Sequence, residues 1–289
     1  MKVLVGAATL FLIQLVGSTA FCQFDFHLPS SVSFSVSADS SKTRTTSISG
    51  NANVYKNNFL NFAVESTKIL IDENDTYKVN NFFAGYSSDS LNFFQFRFDY
   101  NRVSSEGKIK SEQARAYSIL NFEKLSAGLV LGAASAQFLT IPTNFNNEDT
   151  KTFSGSHFGF LVDVFLSSNW AVSLNATKYG YDQDLSIFDN ELVTFFVPVQ
   201  SLNVITSFIK YEATLGVSYT LKRFGVNYRI NTIKGASDDV KGLSNSLGFN
   251  FVANRDWNFF IEFANSQALD DELSDGALRS FSIGTSYVF

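Results

Sequence analysis

The sequence predicts an all-β chain, a transmembrane antiparallel up-and-down β-barrel of about fourteen strands, with twelve or sixteen as alternatives. Three observations lead there. Segments of roughly ten residues alternate apolar with small or polar side chains, the period-2 signature of a sheet with two different faces. Aromatic residues make up 16 % of the chain, with 32 Phe and 11 Tyr against 3 Pro, a composition that suits strands and interfacial girdles. Beyond the first 22 residues, no apolar run is long enough for a membrane helix, which needs about 18 residues. A chain that crosses a bilayer without helices must close its sheet, because hydrocarbon offers no partner to an open backbone edge.

The start of the chain reads as a targeting segment. Met1-Lys2 is positive, Val3 to Val16 is apolar apart from Gln14, and Gly17-Ser18-Thr19-Ala20 is small. Residues 1–22 are therefore expected to be a signal peptide, cleaved after Ala20 or after Cys22, with residues 23–289 forming one barrel domain. Phe21 stands where lipid attachment to Cys22 would want a small residue. Cys22 is the one cysteine, so the remainder holds neither a disulfide nor a thiolate cluster. The formal charge of −5 argues against nucleic acid as a partner, since such binders need a basic field.

Taken in order, the strands are expected near Ser30 to Ser37, Thr46 to Tyr55, Phe59 to Leu70 and Tyr77 to Tyr86. The fifth, Leu91 to Asn101, turns Phe94, Phe96, Phe98 and Tyr100 outward against Gln95, Arg97 and Asp99. Glu112 to Phe122 and Ala127 to Phe138 pair through Glu123 to Leu125, although Ala and Gly blur their faces. Ser156 to Leu166 and Trp170 to Tyr181 join around Ser167 to Asn169. In the last third the alternation is cleanest. Tyr211 to Leu221 sets Leu215, Val217 and Tyr219 against Glu212, Gly216 and Ser218, and Phe224 to Ile230 sets Val226 and Tyr228 against Asn227 and Arg229. Ser246 to Phe251, Trp257 to Phe263 and Leu278 to Phe289 complete the set.

Connections alternate as well. Lys222-Arg223 and Asn254 to Asp256 are tight, whereas Ile233 to Leu243 and Gln267 to Gly276 are longer and polar. Barrels of the outer membrane have short periplasmic turns and longer outer loops, which orients the chain with both termini periplasmic. The connection from Asp182 to Lys210 is long and apolar for a loop. It reads as a hairpin extending the wall, an inward constriction or plug, a partner-binding loop, or an extra strand pair.

In the final segment Phe281, Ile283, Tyr287 and Phe289 share one face, and Ser280, Ser282, Gly284 and Ser286 the other. The pattern Ser282-x-Gly284-x-x-Tyr287-x-Phe289 resembles the C-terminal recognition strand of Gram-negative outer-membrane β-barrels, and the architecture of the whole resembles monomeric porins. That resemblance implies the outer membrane as the location, with its lipid and the barrel-assembly machinery as partners, the latter engaging this last strand.

Chemistry-bearing residues are sparse. The two histidines are His27, close behind the leader, and His157, on a strand face shared with Asp163 but six residues from it, too far for direct contact. The acidic run Asp270-Asp271-Glu272 with Asp275 reads as a solvated loop rather than a Ca²⁺ site. Neither pattern calls for catalysis, a metal or a cofactor. Glu65, Arg97, Asp99, Arg115, Asp163, Glu212, Arg229 and Glu262 are expected to face the lumen, and charges of both signs there suit a water-filled path that selects by size and charge. The expected function is a porin-like channel for passive diffusion of small hydrophilic solutes. A structural or surface-interaction barrel and a lipid-modifying enzyme are the alternatives.

Overall fold

The computed structural model describes residues 30–40, 43–55, 58–72, 75–91, 93–105, 109–140, 149–182, 209–235, 241–268 and 278–289. Residues 1–29, with the expected leader, Cys22 and His27, the acidic run 270–275 and nearly all of the 182–210 connection lie outside these residues.

Fourteen strands run in chain order: β1 (Ser31–Asp39), β2 (Arg44–Tyr55), β3 (Asn58–Asp72), β4 (Asp75–Leu91), β5 (Phe94–Ser105), β6 (Ile109–Asn121), β7 (Leu125–Thr140), β8 (Asp149–Phe165), β9 (Trp170–Tyr181), β10 (Ile209–Leu221), β11 (Phe224–Gly235), β12 (Lys241–Val252), β13 (Trp257–Ala268) and β14 (Leu278–Val288). Each pairs antiparallel with its neighbours in sequence, and β1 pairs with β14 from Ser31 opposite Val288 to Asp39 opposite Ser280, closing the sheet. Closure leaves no edge strand, so each ladder has a partner on both sides.

The faces are inverted relative to a water-soluble protein. Phe34, Val64 and Phe263 are about half exposed on the outer wall, while Glu65, Asp99 and Ser246 are buried inside. Such a wall fits hydrocarbon, because leaving this much contiguous apolar surface in water is strongly unfavourable. Among the described residues, one interior apolar patch sets Leu161 against Tyr117, Ile119 and Val130.

At the end carrying the short turns, aromatic pairs lock neighbouring strands on the outer face. Ring centroids are 4.7 Å apart for Trp170 and Tyr219, and 5.1 Å for both Phe224–Phe251 and Trp257–Tyr287. These are the spacings of favourable ring contacts, and they form the lower girdle of a membrane barrel. Phe289 continues the girdle against Tyr287, and its backbone N–H donates to the Ser30 carbonyl at 2.9 Å.

Several boundaries differ from the expected ones. The fifth strand begins at Phe94, and Leu91 instead ends β4 after an irregularity beyond Ser88. At the opposite end β8 begins at Asp149 and β12 at Lys241, well before the expected Ser156 and Ser246. The reason is physical: above the apolar band the outward residues turn polar, which silences hydrophobic alternation while the backbone ladder continues. The stretch between β11 and β12 is correspondingly shorter than the Ile233 to Leu243 loop expected.

The β10–β11 turn holds Lys222 at φ 51°, in the left-handed region that costs a residue with a Cβ roughly 1 kcal/mol. Lys222→Gly should therefore stabilise the barrel by up to about 1 kcal/mol, partly offset by glycine's greater freedom in the unfolded chain. Urea unfolding in lipid vesicles measures this; a loss of more than about 1 kcal/mol would contradict it.

Candidate functional site

The interior site follows from strand register. One row of directly opposed residues crosses seven strands: Asn61 on β3, Gly85, Asp99, Arg115, Gly132, His157 and Tyr179 on β9. Opposed residues share a face, so large side chains on adjacent strands compete for the same space. The two glycines relieve that competition. A Cβ at Gly132 would run into the His157 ring and the Ala114 carbonyl oxygen, and one at Gly85 would lie 2.8 Å from Asp99 Oδ1.

Into that space the row sends a chain of charge-assisted hydrogen bonds. Arg115 Nη2 donates to the Tyr179 hydroxyl at 3.0 Å, and the hydroxyl donates to Glu212 Oε1 at 2.8 Å. Arg115 Nη2 also sits 4.0 Å from the same carboxylate oxygen, a weaker, mainly coulombic contact. One strand over, Arg97 grips Asp99 through two bonds, Nε to Oδ1 at 2.8 Å and Nη2 to Oδ2 at 2.5 Å. Its guanidinium lies 4.9 Å from the centre of the Tyr117 ring, within cation–π range. The network thus reaches from β5 to β10 and covers one side of the interior.

The remaining inward charges are placed elsewhere. Glu65 is buried on β3 opposite Ser47 and Asn81. Arg229 and Glu262 interact electrostatically on the β11–β13 side. Asp163 lies on the inward face of β8, opposite Ser126 and Ser173. Around Arg229 and Glu262 the wall carries mostly polar residues, with Ser244, Ser246, Ser266 and Ser282 all buried, beside the inward ring of Phe260. The interior is therefore asymmetric, with long charged and aromatic side chains on β5–β10 facing a hydroxyl-lined half.

Tyr117 and Tyr179 were not among the residues singled out from sequence. Parity from Trp170 puts Tyr179 on the inward face, a signal present in the sequence. Its partners Arg115 and Glu212 depend on strand register, which one sequence does not display.

His157 stands between Gly132 and Tyr179, its ring centroid 5.2 Å from the tyrosine ring. Among the described residues neither ring nitrogen has a hydrogen-bond partner. Among the described residues it bonds neither a carboxylate nor a hydroxyl, the two contacts a hydrolytic dyad or triad needs.

At the chain end, Ser282 and Gly284 face inward while Tyr287 and Phe289 face outward. A Cβ at Gly284 would meet the inward ring of Phe260 on the neighbouring strand, which explains glycine at that position.

No protein-family model matches the sequence, and no curated protein matches it either. Solved structures do match in fold. The CymD monoaromatic hydrocarbon channel aligns over 100 % of this chain and 98 % of its own, with a TM-score of 0.59 and 8 % identity. The KdgM porin aligns over 90 % of this chain and 99 % of its own, at 12 % identity and a TM-score of 0.48. OmpT of Vibrio cholerae, an outer-membrane protein, aligns over 90 % and 96 %, at 12 % identity and a TM-score of 0.46. At 8 % identity the likeness to the CymD channel shows the fold alone, a closed β-barrel of the outer-membrane type.

Proposed function

We propose that this chain is an outer-membrane, porin-like channel for passive diffusion of small hydrophilic solutes. The observation that carries the reading is the inner face itself: a membrane barrel whose interior is lined by opposed charges and small hydroxyls. Among the described residues, His157, Glu212 Oε2, Arg115 Nε and the hydroxyls of Ser244, Ser246 and Ser282 are buried polar groups without a protein partner. Buried polar groups need partners, so these positions suit ordered water held among the inward side chains.

Glu65, Arg97, Asp99, Arg115, Asp163, Glu212, Arg229 and Glu262 are the residues proposed to tune passage. The Arg115–Tyr179–Glu212 network is the constriction, and the hydroxyl-lined half is the path beside it. Because acids and bases stand side by side on the wall, Arg97 with Asp99 and Arg115 with Glu212, a solute meets adjacent groups of both signs, which favours small polar molecules with a dipole or balanced charge. Many inward side chains are buried against one another, so conductance is expected to be small for a fourteen-stranded wall.

The same reading supplies the partners: outer-membrane lipid around the apolar band, and the barrel-assembly machinery at Ser282, Gly284, Tyr287 and Phe289. Residues 1–22 fit a leader that is removed during export.

Swelling of proteoliposomes tests the reading. Small sugars and amino acids should enter faster than through protein-free vesicles, with the rate falling steeply as solute size grows; no swelling with any small solute would favour a structural barrel. In the same preparation Arg229→Ala should raise the cation-over-anion permeability ratio by about twofold, since it removes a positive charge from the hydroxyl-lined side.

A further inference from the structure

The outer wall carries a second, unrelated charge pattern. Arg44, Lys68 and Lys78 lie on the outward face of β2, β3 and β4, all exposed, near the ends remote from the aromatic girdle. Register sets Arg44 directly opposite Lys68 and Lys68 directly opposite Lys78. Directly opposed residues have Cβ atoms about 5 Å apart, and like charges in that position repel. No carboxylate shares this face among the described side chains of β1–β4, since Asp39 and Glu65 point inward. A sheet that accepts three repelling cations in a row is arranged for an external anion.

The pattern extends along the wall. Arg102 on β5 and Lys110 on β6 face outward at the same end, with Glu112 between them at 3.8 and 3.1 Å. One carboxylate thus serves two cations there. Immediately below, on the same outward face, come Ile48, Val64 and Phe82, the top of the apolar band. The cations therefore stand where acyl chains give way to headgroups on the outer side of the membrane. A chain with formal charge −5 has concentrated cations at this level of its lipid-facing wall.

We propose that Arg44, Lys68 and Lys78 form a binding site for the phosphate groups of a phosphorylated outer-leaflet glycolipid, with Arg102 and Lys110 extending it. The occupant follows from position and charge. The site faces the bilayer rather than the lumen, so a membrane lipid reaches it, and two phosphate monoesters, at about −1.5 to −2 each, carry enough negative charge to neutralise the three cations of the row. Arginine can bind such a group in bidentate fashion, and the flanking lysines act as point charges. The inference rests on the barrel's membrane orientation and not on its conductance, so the channel reading and this one fail separately.

Native mass spectrometry of the detergent-purified full chain, titrated with bis-phosphorylated lipid A, tests it. Bound lipid A should be retained by the parent protein, and its affinity should fall at least tenfold in the triple variant Arg44→Gln/Lys68→Gln/Lys78→Gln. Lys68→Arg/Lys78→Arg, which keeps the charge, should bind within about twofold of the parent. Heat-modifiable gel mobility confirms that each variant is folded, and proteoliposome swelling should be unchanged in all of them. Equal binding of lipid A lacking both phosphates, or equal affinity in the triple variant, would overturn the proposal. So would displacement by an equal concentration of inorganic phosphate, which would mark a free-anion site instead.

Discussion

Replacing Arg115 with Met should destabilise the barrel by about 3–5 kcal/mol, the range found when one partner of a buried charge network is removed. The cause is what the substitution leaves behind. Glu212 is buried, and without the guanidinium its partner is the Tyr179 hydroxyl alone, a neutral donor in place of a charged one. The side chain of Met matches the stem of Arg in length, so packing changes little and the deficit is electrostatic. The double variant Arg115→Met/Glu212→Gln should recover most of the loss, because a neutral amide can still bond Tyr179. Urea unfolding in vesicles reads both values, and equal stabilities for the two variants would show that the charges are uncoupled. The single variant should also leave the constriction net negative and shift ion preference toward cations.

Gly132→Val should be nearly as damaging. The added branches would fall where the His157 ring and the Ala114 carbonyl already sit, and overpacking of this kind costs roughly 1–3 kcal/mol. Part of the clash involves a side chain, so His157→Ala in the Gly132→Val background should return at least about 1 kcal/mol. The part involving the Ala114 backbone should remain. The fraction migrating as folded barrel on an unheated gel, followed with temperature, gives the ordering: parent above double variant above Gly132→Val. A Gly132→Val barrel as stable as the parent would mean that the row has room to spare.

Much of this architecture was legible in the chain because a membrane barrel writes its faces into every strand. From Tyr211 onward, where Leu, Val, Phe and Tyr alternate with Ser, Gly and Asn, strand positions and orientation could be read directly. The Trp170 to Tyr181 strand was legible to the residue, since aromatic girdle residues bound its lower end. Legibility faded at the opposite end, where the outward residues are Lys, Thr and Asn and the backbone ladder continues without hydrophobic alternation. That is why β8 and β12 begin earlier than expected.

The interior was legible as a list of charges and not as a network. Arg115 and Glu212 could be assigned to the inward face by parity, yet 97 positions separate them, and their meeting at Tyr179 depends on the registers of β6 to β10. A shift of one residue in any of those pairings would turn a strand's side chains to the opposite face. Gly132 shows the same limit. In the sequence it is one small residue in an Ala- and Gly-rich strand, and only its opposition to Arg115 and His157 gives it a role. The cationic row on β2–β4 is likewise invisible until register aligns Arg44, Lys68 and Lys78.

Single-channel recording in planar bilayers decides whether the barrel conducts. The purified full chain should insert to give discrete, reproducible current steps, small for a wall of this size, with an ion preference that moves toward cations in Arg115→Met. Folded protein that inserts into the bilayer and passes no current at any voltage would contradict the channel reading and leave a closed structural barrel.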